Sequence, residues 1–192
     1  MQKTICIVHG VGFHTNEMNE NMKLFAKDVE TRTGAICTYY HWNHPGFLPV
    51  NSRHSLLFKE MYKFTGEVIM DFTFVTKEID ALLAKLPPAD MYVGHSAGGV
   101  IVGYQNEKPT VMFGSPYQMV RNASLHMCSE KPVLNIMHYR DPIAAQVYDA
   151  TNEIIYMPYI APYINPISAH SAYWRSAYTI KRTVDWFKRN VK

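Results

Sequence analysis

"MYVGHSAGGVIV", residues 91–102, decides how the rest of the chain is read. An apolar run at 91–94 breaks into Gly-His-Ser-Ala-Gly-Gly, and an apolar helix-like stretch follows from Val100. A strand that turns this sharply into a helix needs small residues beside the turn, because the two backbones pass close together. Gly94 and Gly98 stand two places before and two places after Ser96. This is either an ordinary tight turn or an elbow that lifts one hydroxyl above the end of a strand. A Gly-x-Ser-x-Gly match alone decides little, since chance supplies roughly one in every fifteen chains of this length. Its position between a strand and a helix carries more weight.

Working outward, apolar strand-like runs fall at Thr4–Val8, 35–42, Thr110–Phe113, 133–139 and 153–157. Helical spacing appears at 22–31 (Met22, Phe25, Ala26, Val29), 55–86, 98–105, 117–127 and 172–190. Gly66 divides the long second stretch and Pro87-Pro88 ends it. The last helix has an apolar stripe of Tyr173, Trp174, Ala177, Ile180, Val184 and Phe187. Strands that are apolar throughout and separated by helices predict a parallel sheet of about six strands, covered on both faces. Such sheets bind ligands at the carboxyl ends of their strands. Functional residues should therefore lie just after strands.

Size and composition narrow the field. The chain has 192 residues, 47% of them hydrophobic and 18% charged, which suits one globular domain over 1–192. A net charge of +3 is too small for a nucleic-acid groove, and no reading motif accompanies it. The basic residues near the C-terminus (Lys181, Arg182, Lys188, Arg189, Lys192) read as the solvated face of the last helix. The start "MQKTICIVHG" has too short an apolar core for a secretory signal, and no stretch is long enough to span a membrane. Cys6, Cys37 and Cys128 are odd in number and far apart, so they read as small buried hydrophobes of a reducing, cytoplasmic setting. No repeat, linker or low-complexity tract is present.

Serine is a poor nucleophile unless a base takes its proton and donors receive the developing oxyanion. Among nine histidines, His170 in "NPISAHSAYW" is best placed, after the last strand and before the last helix. His95 lies inside the elbow and should point away from the serine's site, and His138 reads as a packed strand residue. Asp141 in "HYRDPIA" follows the fifth strand, whereas Asp90 and Asp149 precede strands, at the wrong end. The first strand ends in "VHGVG", where glycine lets the backbone approach a ligand. The N–H groups of Val11 and Ala97 are then the oxyanion donors. Ser96, Asp141 and His170 follow one another in the chain order of α/β-hydrolase triads.

The succession "GHSAGG", "VMFGSPYQ", "YRDPIA" and "HSAYW" resembles the class 3 (fungal-type) lipases over about residues 91–175. "HPGFLP" at 44–49 is a fainter echo of the same family. The "VHGVG" start is closer to the His-Gly loop of general α/β-hydrolase esterases, and no strand precedes Thr4. The resemblance thus implies a trimmed, doubly wound α/β-hydrolase fold and a serine esterase that needs no cofactor or metal. Its partner would be a small or lipid-like acyl ester, with no stable membrane insertion.

His9, Phe13, Trp42 and Tyr117 are the expected substrate-binding residues, with Phe47, Tyr163 and Trp174 near the same edge. Residues 43–65 and 159–169 are candidate lids. His9, His14, His41 and His44 form a second constellation, but without His-Glu-x-x-His spacing it is a weaker zinc candidate. A thioesterase, amidase or acyltransferase would use the same triad, and a binding protein on a hydrolase fold would have lost it. Oligomeric state, acyl chain and alcohol are not legible.

Overall fold

A computed structural model describes residues 2–10, 16–40, 80–105, 107–115, 131–138, 141, 153–157 and 172–192. Among these, β1 (Thr4–Val8), β2 (Ile36–Tyr40), β3 (Met91–His95), β4 (Thr110–Phe113), β5 (Val133–Met137) and β6 (Glu153–Tyr156) form one six-stranded sheet. The strand order is β2-β1-β3-β4-β5-β6, and every pairing is parallel. Helices α1 (Asn16–Thr33), α2 (Ala97–Tyr104) and α3 (Ala177–Asn190) pack with it, with a 3-10 turn at Ala172–Arg175, and residues 80–83 are helical as well.

The order has a functional consequence. From β1 the chain moves outward to β2, then returns to the other side of β1 to lay down β3. The direction of winding reverses between β1 and β3, so their carboxyl ends flank the crevice where such sheets bind ligands.

Side-chain alternation divides the core into two layers. Ile5 and Ile7 of β1 turn to one face and pack with Phe25, Val29, Trp174, Ile180 and Phe187 of α1, the 3-10 turn and α3. Cys6 and Val8 turn to the other, against Val100, Ile101 and Tyr104 of α2. Fully burying a side chain of this kind contributes about 1.5–3 kcal/mol relative to exposure. Phe25, Phe113 and Trp174 meet edge to face, with centroids 4.9–5.6 Å apart. Trp174 is therefore a core residue, packed against Phe25 of α1 and Phe113 of β4.

The six strands match the sequence expectation to within one residue at either end among the described residues, and 41–42 and 139 of the expected second and fifth strands lie outside them. Helix α1 starts earlier than the apolar spacing alone suggests, although Met22, Phe25, Ala26 and Val29 are buried as that spacing requires. The predicted helix over 172–190 is two elements. Ser176 adopts an extended conformation and its hydroxyl accepts the Thr179 N–H at 3.2 Å, so α3 begins afresh at Ala177. The stripe is corrected accordingly: Ala177 is exposed, while Thr179, Thr183 and Trp186 join the buried face. Nor are all the C-terminal basic residues merely solvated. Arg182 and Arg189 both bind Glu153 on edge strand β6, and the Arg189 guanidinium lies 4.7 Å from the Trp186 ring centre.

Two polar anchors hold the ends of β3 and α2. Asp90 accepts hydrogen bonds from the Thr4 N–H (2.8 Å) and hydroxyl (3.2 Å), and pairs with Lys3 at 3.5 Å. The backbone donation from Thr4 is the main reason its carboxyl titrates below the ordinary range. Asp90 is thus a tie at the amino edge of the sheet. Lys131 is buried, and its ammonium donates to the carbonyls of Val102 (3.0 Å), Gly103 (2.8 Å) and Gln105. These are the carbonyls that the C-terminus of α2 leaves unpaired, and the helix dipole favours a cation there. Lys131→Met is expected to cost about 1.5–3 kcal/mol, the worth of a hydrogen bond to a charged group. Chemical denaturation checks this, and a change below about 0.5 kcal/mol would contradict the capping role.

Candidate active site

Ser96 stands between β3 and α2 with φ 55° and ψ −127°, the only non-glycine residue with positive φ among the described residues. Such a conformation costs an L-residue of order 1–3 kcal/mol and persists only where the surroundings impose it. Its N–H donates to the Phe113 carbonyl at 3.1 Å, and its carbonyl accepts from Gly99 (2.9 Å) and Val100 (3.3 Å). The backbone is therefore pinned to β4 on one side and to α2 on the other. A serine at the start of a helix usually uses its hydroxyl to cap the first turn. Ser96 does not: its side chain makes no capping hydrogen bond.

The glycines explain how the elbow closes. A methyl group on Gly98 would strike the carbonyl oxygens of Val8 and His9, and one on Gly94 would strike Gly98. The helix is thereby pressed onto the ends of β1 and β3. Gly10, just past β1, approaches the serine itself. A methyl group there would sit 2.6 Å from Ser96 Cβ and 3.1 Å from its Oγ. Ser96 and Gly10 thus face each other across the β1–β3 reversal. Ala97 opens α2, so its N–H is the first of the donors that a helix start leaves unpaired.

His9 is buried, and its Nδ1 lies 2.6 Å from the Gly10 carbonyl oxygen. A carbonyl only accepts, so Nδ1 carries the proton and the ring braces the segment that leads into the loop. Asp141 is 5% exposed, past the carboxyl end of β5. Its N–H donates to the His138 carbonyl at 3.0 Å, and its Oδ2 accepts the Tyr173 hydroxyl at 2.8 Å. His95 is buried on the α1 side of the sheet, its ring 5.4–6.2 Å from those of Trp174, Tyr173 and Phe113. It faces the core, while the elbow carries Ser96 to the carboxyl edge. His138, just past β5, is buried too.

Cys6 and Cys37 are buried free thiols, and burial is the chief cause that pushes them up to about 11 and about 12. Both stay protonated near neutral pH, so neither competes with Ser96 as nucleophile.

Val11, Phe13, Trp42, Tyr117 and His170 lie outside the described residues, as do the candidate lids, Cys128, Asp149, and His14, His41 and His44 of the histidine constellation. Tyr173 and Lys131 escaped the sequence reading. Tyr173 belonged to a helix stripe and read as core. Its position three places after His170 was the available signal. Lys131 carried none, since a buried cap looks like any loop lysine.

No family model matches the chain, and no curated protein matches it by sequence. Among solved structures the chain is similar to carboxyl esterase 2 of the mycorrhizal fungus Tuber melanosporum, with a TM-score of 0.51 and 11% identity. The match covers 100% of this chain and 79% of that one. Likeness at this identity speaks for the fold. Together with the parallel sheet and its helices, it makes this an α/β-hydrolase fold. No described helix is long and apolar enough to cross a membrane.

Proposed function

We propose that the protein is a serine hydrolase that cleaves carboxylic esters through an acyl-enzyme. The observation that carries the reading is the left-handed backbone of Ser96, held against Gly10 with its hydroxyl withheld from capping. In this reading His170 takes the hydroxyl proton as Ser96 attacks the carbonyl carbon. Asp141 holds the imidazole and stabilises its cation, and the N–H groups of Val11 and Ala97 bind the oxyanion. The alcohol leaves with the proton from His170, and water then deacylates the serine through the same base. His9, Phe13, Trp42 and Tyr117 line the acyl pocket. The class 3 lipase resemblance rests on the motifs over residues 91–175 and supports the same chemistry. An esterase among structural neighbours agrees with an ester substrate.

A panel of p-nitrophenyl esters from acetate to palmitate tests the activity and locates the chain-length preference. Hydrolysis of none of them would count against the proposal. The base must be neutral to accept a proton, so the rate is expected to rise with pH through the ordinary imidazole range, about 6–7. Zinc-bound water titrates in the same range, so the pH profile needs a chelator arm. Prolonged phenanthroline treatment is expected to leave the rate unchanged. A loss restored by added zinc would move the chemistry to His9, His14, His41 and His44.

A further inference from the structure

We propose that Tyr173 is a positioning residue for the reaction, acting through the carboxylate of Asp141; this rests on the serine-hydrolase reading above. A phenol buried in an apolar core needs a partner for its hydroxyl, and a buried carboxylate needs donors. Tyr173 is fully buried and Asp141 is 5% exposed, and the phenol donates to the carboxylate in a bond of 2.8 Å. The bond ties the carboxyl end of β5 to the 3-10 turn, across 32 residues of chain.

The ring of Tyr173 is fixed by its neighbours. It stacks on Phe113 with an interplanar angle of 18° and centroids 5.9 Å apart, and its centroid lies 5.8 Å from that of His95. His95 directly precedes Ser96, and the Phe113 carbonyl accepts the Ser96 N–H. One side chain therefore touches the strand that carries the nucleophile, the strand that pins it, and the acid. In the sequence it follows His170 by three residues.

Rotation about the last bond of an aspartate side chain is broad and roughly two-fold. With Oδ2 held by a donor on a rigid ring, rotation of the carboxylate is restrained, and with it the direction in which Oδ1 would be offered to the base of the proposed triad. Removing the hydroxyl leaves the packing in place and takes away that restraint. Tyr173→Phe does this with the smallest change of shape. A tyrosine that merely secured the 3-10 turn would lose stability without any dependence on Asp141.

The test is a double-mutant cycle on p-nitrophenyl butyrate hydrolysis, with the wild type, Tyr173→Phe, Asp141→Asn and the double variant. Tyr173→Phe is expected to lower kcat about tenfold, the scale of one hydrogen bond to a charged group. KM should stay within about twofold, since the hydroxyl contacts the acid and not the substrate. In the Asp141→Asn background the same change should alter kcat less than about twofold, because coupled residues are not additive. An equal factor in both backgrounds, or no loss in the wild-type background, would overturn the positioning role.

A second measurement leaves position 173 unaltered. With 13C at the phenolic carbon of Tyr173, phosphonylation of Ser96 charges His170 and draws on the carboxylate, so the tyrosine signal should move. An unmoved signal would overturn the inference. A wild type that neither hydrolyses the ester nor depends on Ser96 would instead bring down the serine-hydrolase reading, and this inference with it.

Discussion

Ser96→Ala is expected to abolish ester hydrolysis, with a fall of roughly 10⁴–10⁶ in kcat, while the thermal melt stays close to that of the wild type. The large effect follows from the role: without the hydroxyl no acyl-enzyme forms, and only binding and the oxyanion donors remain. The small effect on stability follows from the structure. The hydroxyl makes no capping hydrogen bond, so α2 loses nothing when it is removed. Alanine meets the same backbone strain at φ 55° that serine does, so that cost cancels. A variant retaining a tenth of the activity would show that the elbow is only a turn.

The second large effect is expected at the acid. Asp141→Asn should lose at least about 10³-fold in kcat, and Asp149→Asn less than about tenfold. An amide does not stabilise an imidazolium as a carboxylate does, and it favours the wrong tautomer of the base. The Tyr173 hydroxyl can still donate to the amide oxygen of an asparagine at 141, and thermal melts of both variants separate fold loss from loss of catalysis. The reverse ranking would transfer the role to Asp149 and reassign the acid to a different segment of the chain. Steady-state kinetics on the two purified variants decide it.

The sheet was legible because its strands are apolar on both faces. Ile5 and Ile7 alternate with Cys6 and Val8, yet all four are buried, which is the mark of a strand covered on both sides. The elbow was legible because steric demands there leave few residue types. The strand order supplied what periodicity lacks, namely that β1 and β3 are neighbours and that Gly10 meets Ser96.

Two kinds of feature were hidden. The break at Ser176 was masked by residues 172–190 keeping an apolar stripe through it, and only a capping hydroxyl distinguishes a new start from a continued turn. The Tyr173–Asp141 bond and the Lys131 cap are contacts between distant segments, of 32 and 26–29 residues' separation, and no local pattern encodes such a partner. In each case the residue type fitted a simpler role, tyrosine as core and lysine as surface.

The central claim is that Ser96 is an activated nucleophile, and covalent labelling tests it most directly. Brief exposure to a fluorophosphonate, followed by intact-mass and peptide mass spectrometry, reads both whether a serine reacts and which one. The account predicts one adduct per chain, on the peptide containing Ser96, absent from Ser96→Ala and strongly slowed in Asp141→Asn. An unlabelled wild type, or an adduct on another residue with Ser96 unmodified, would contradict it.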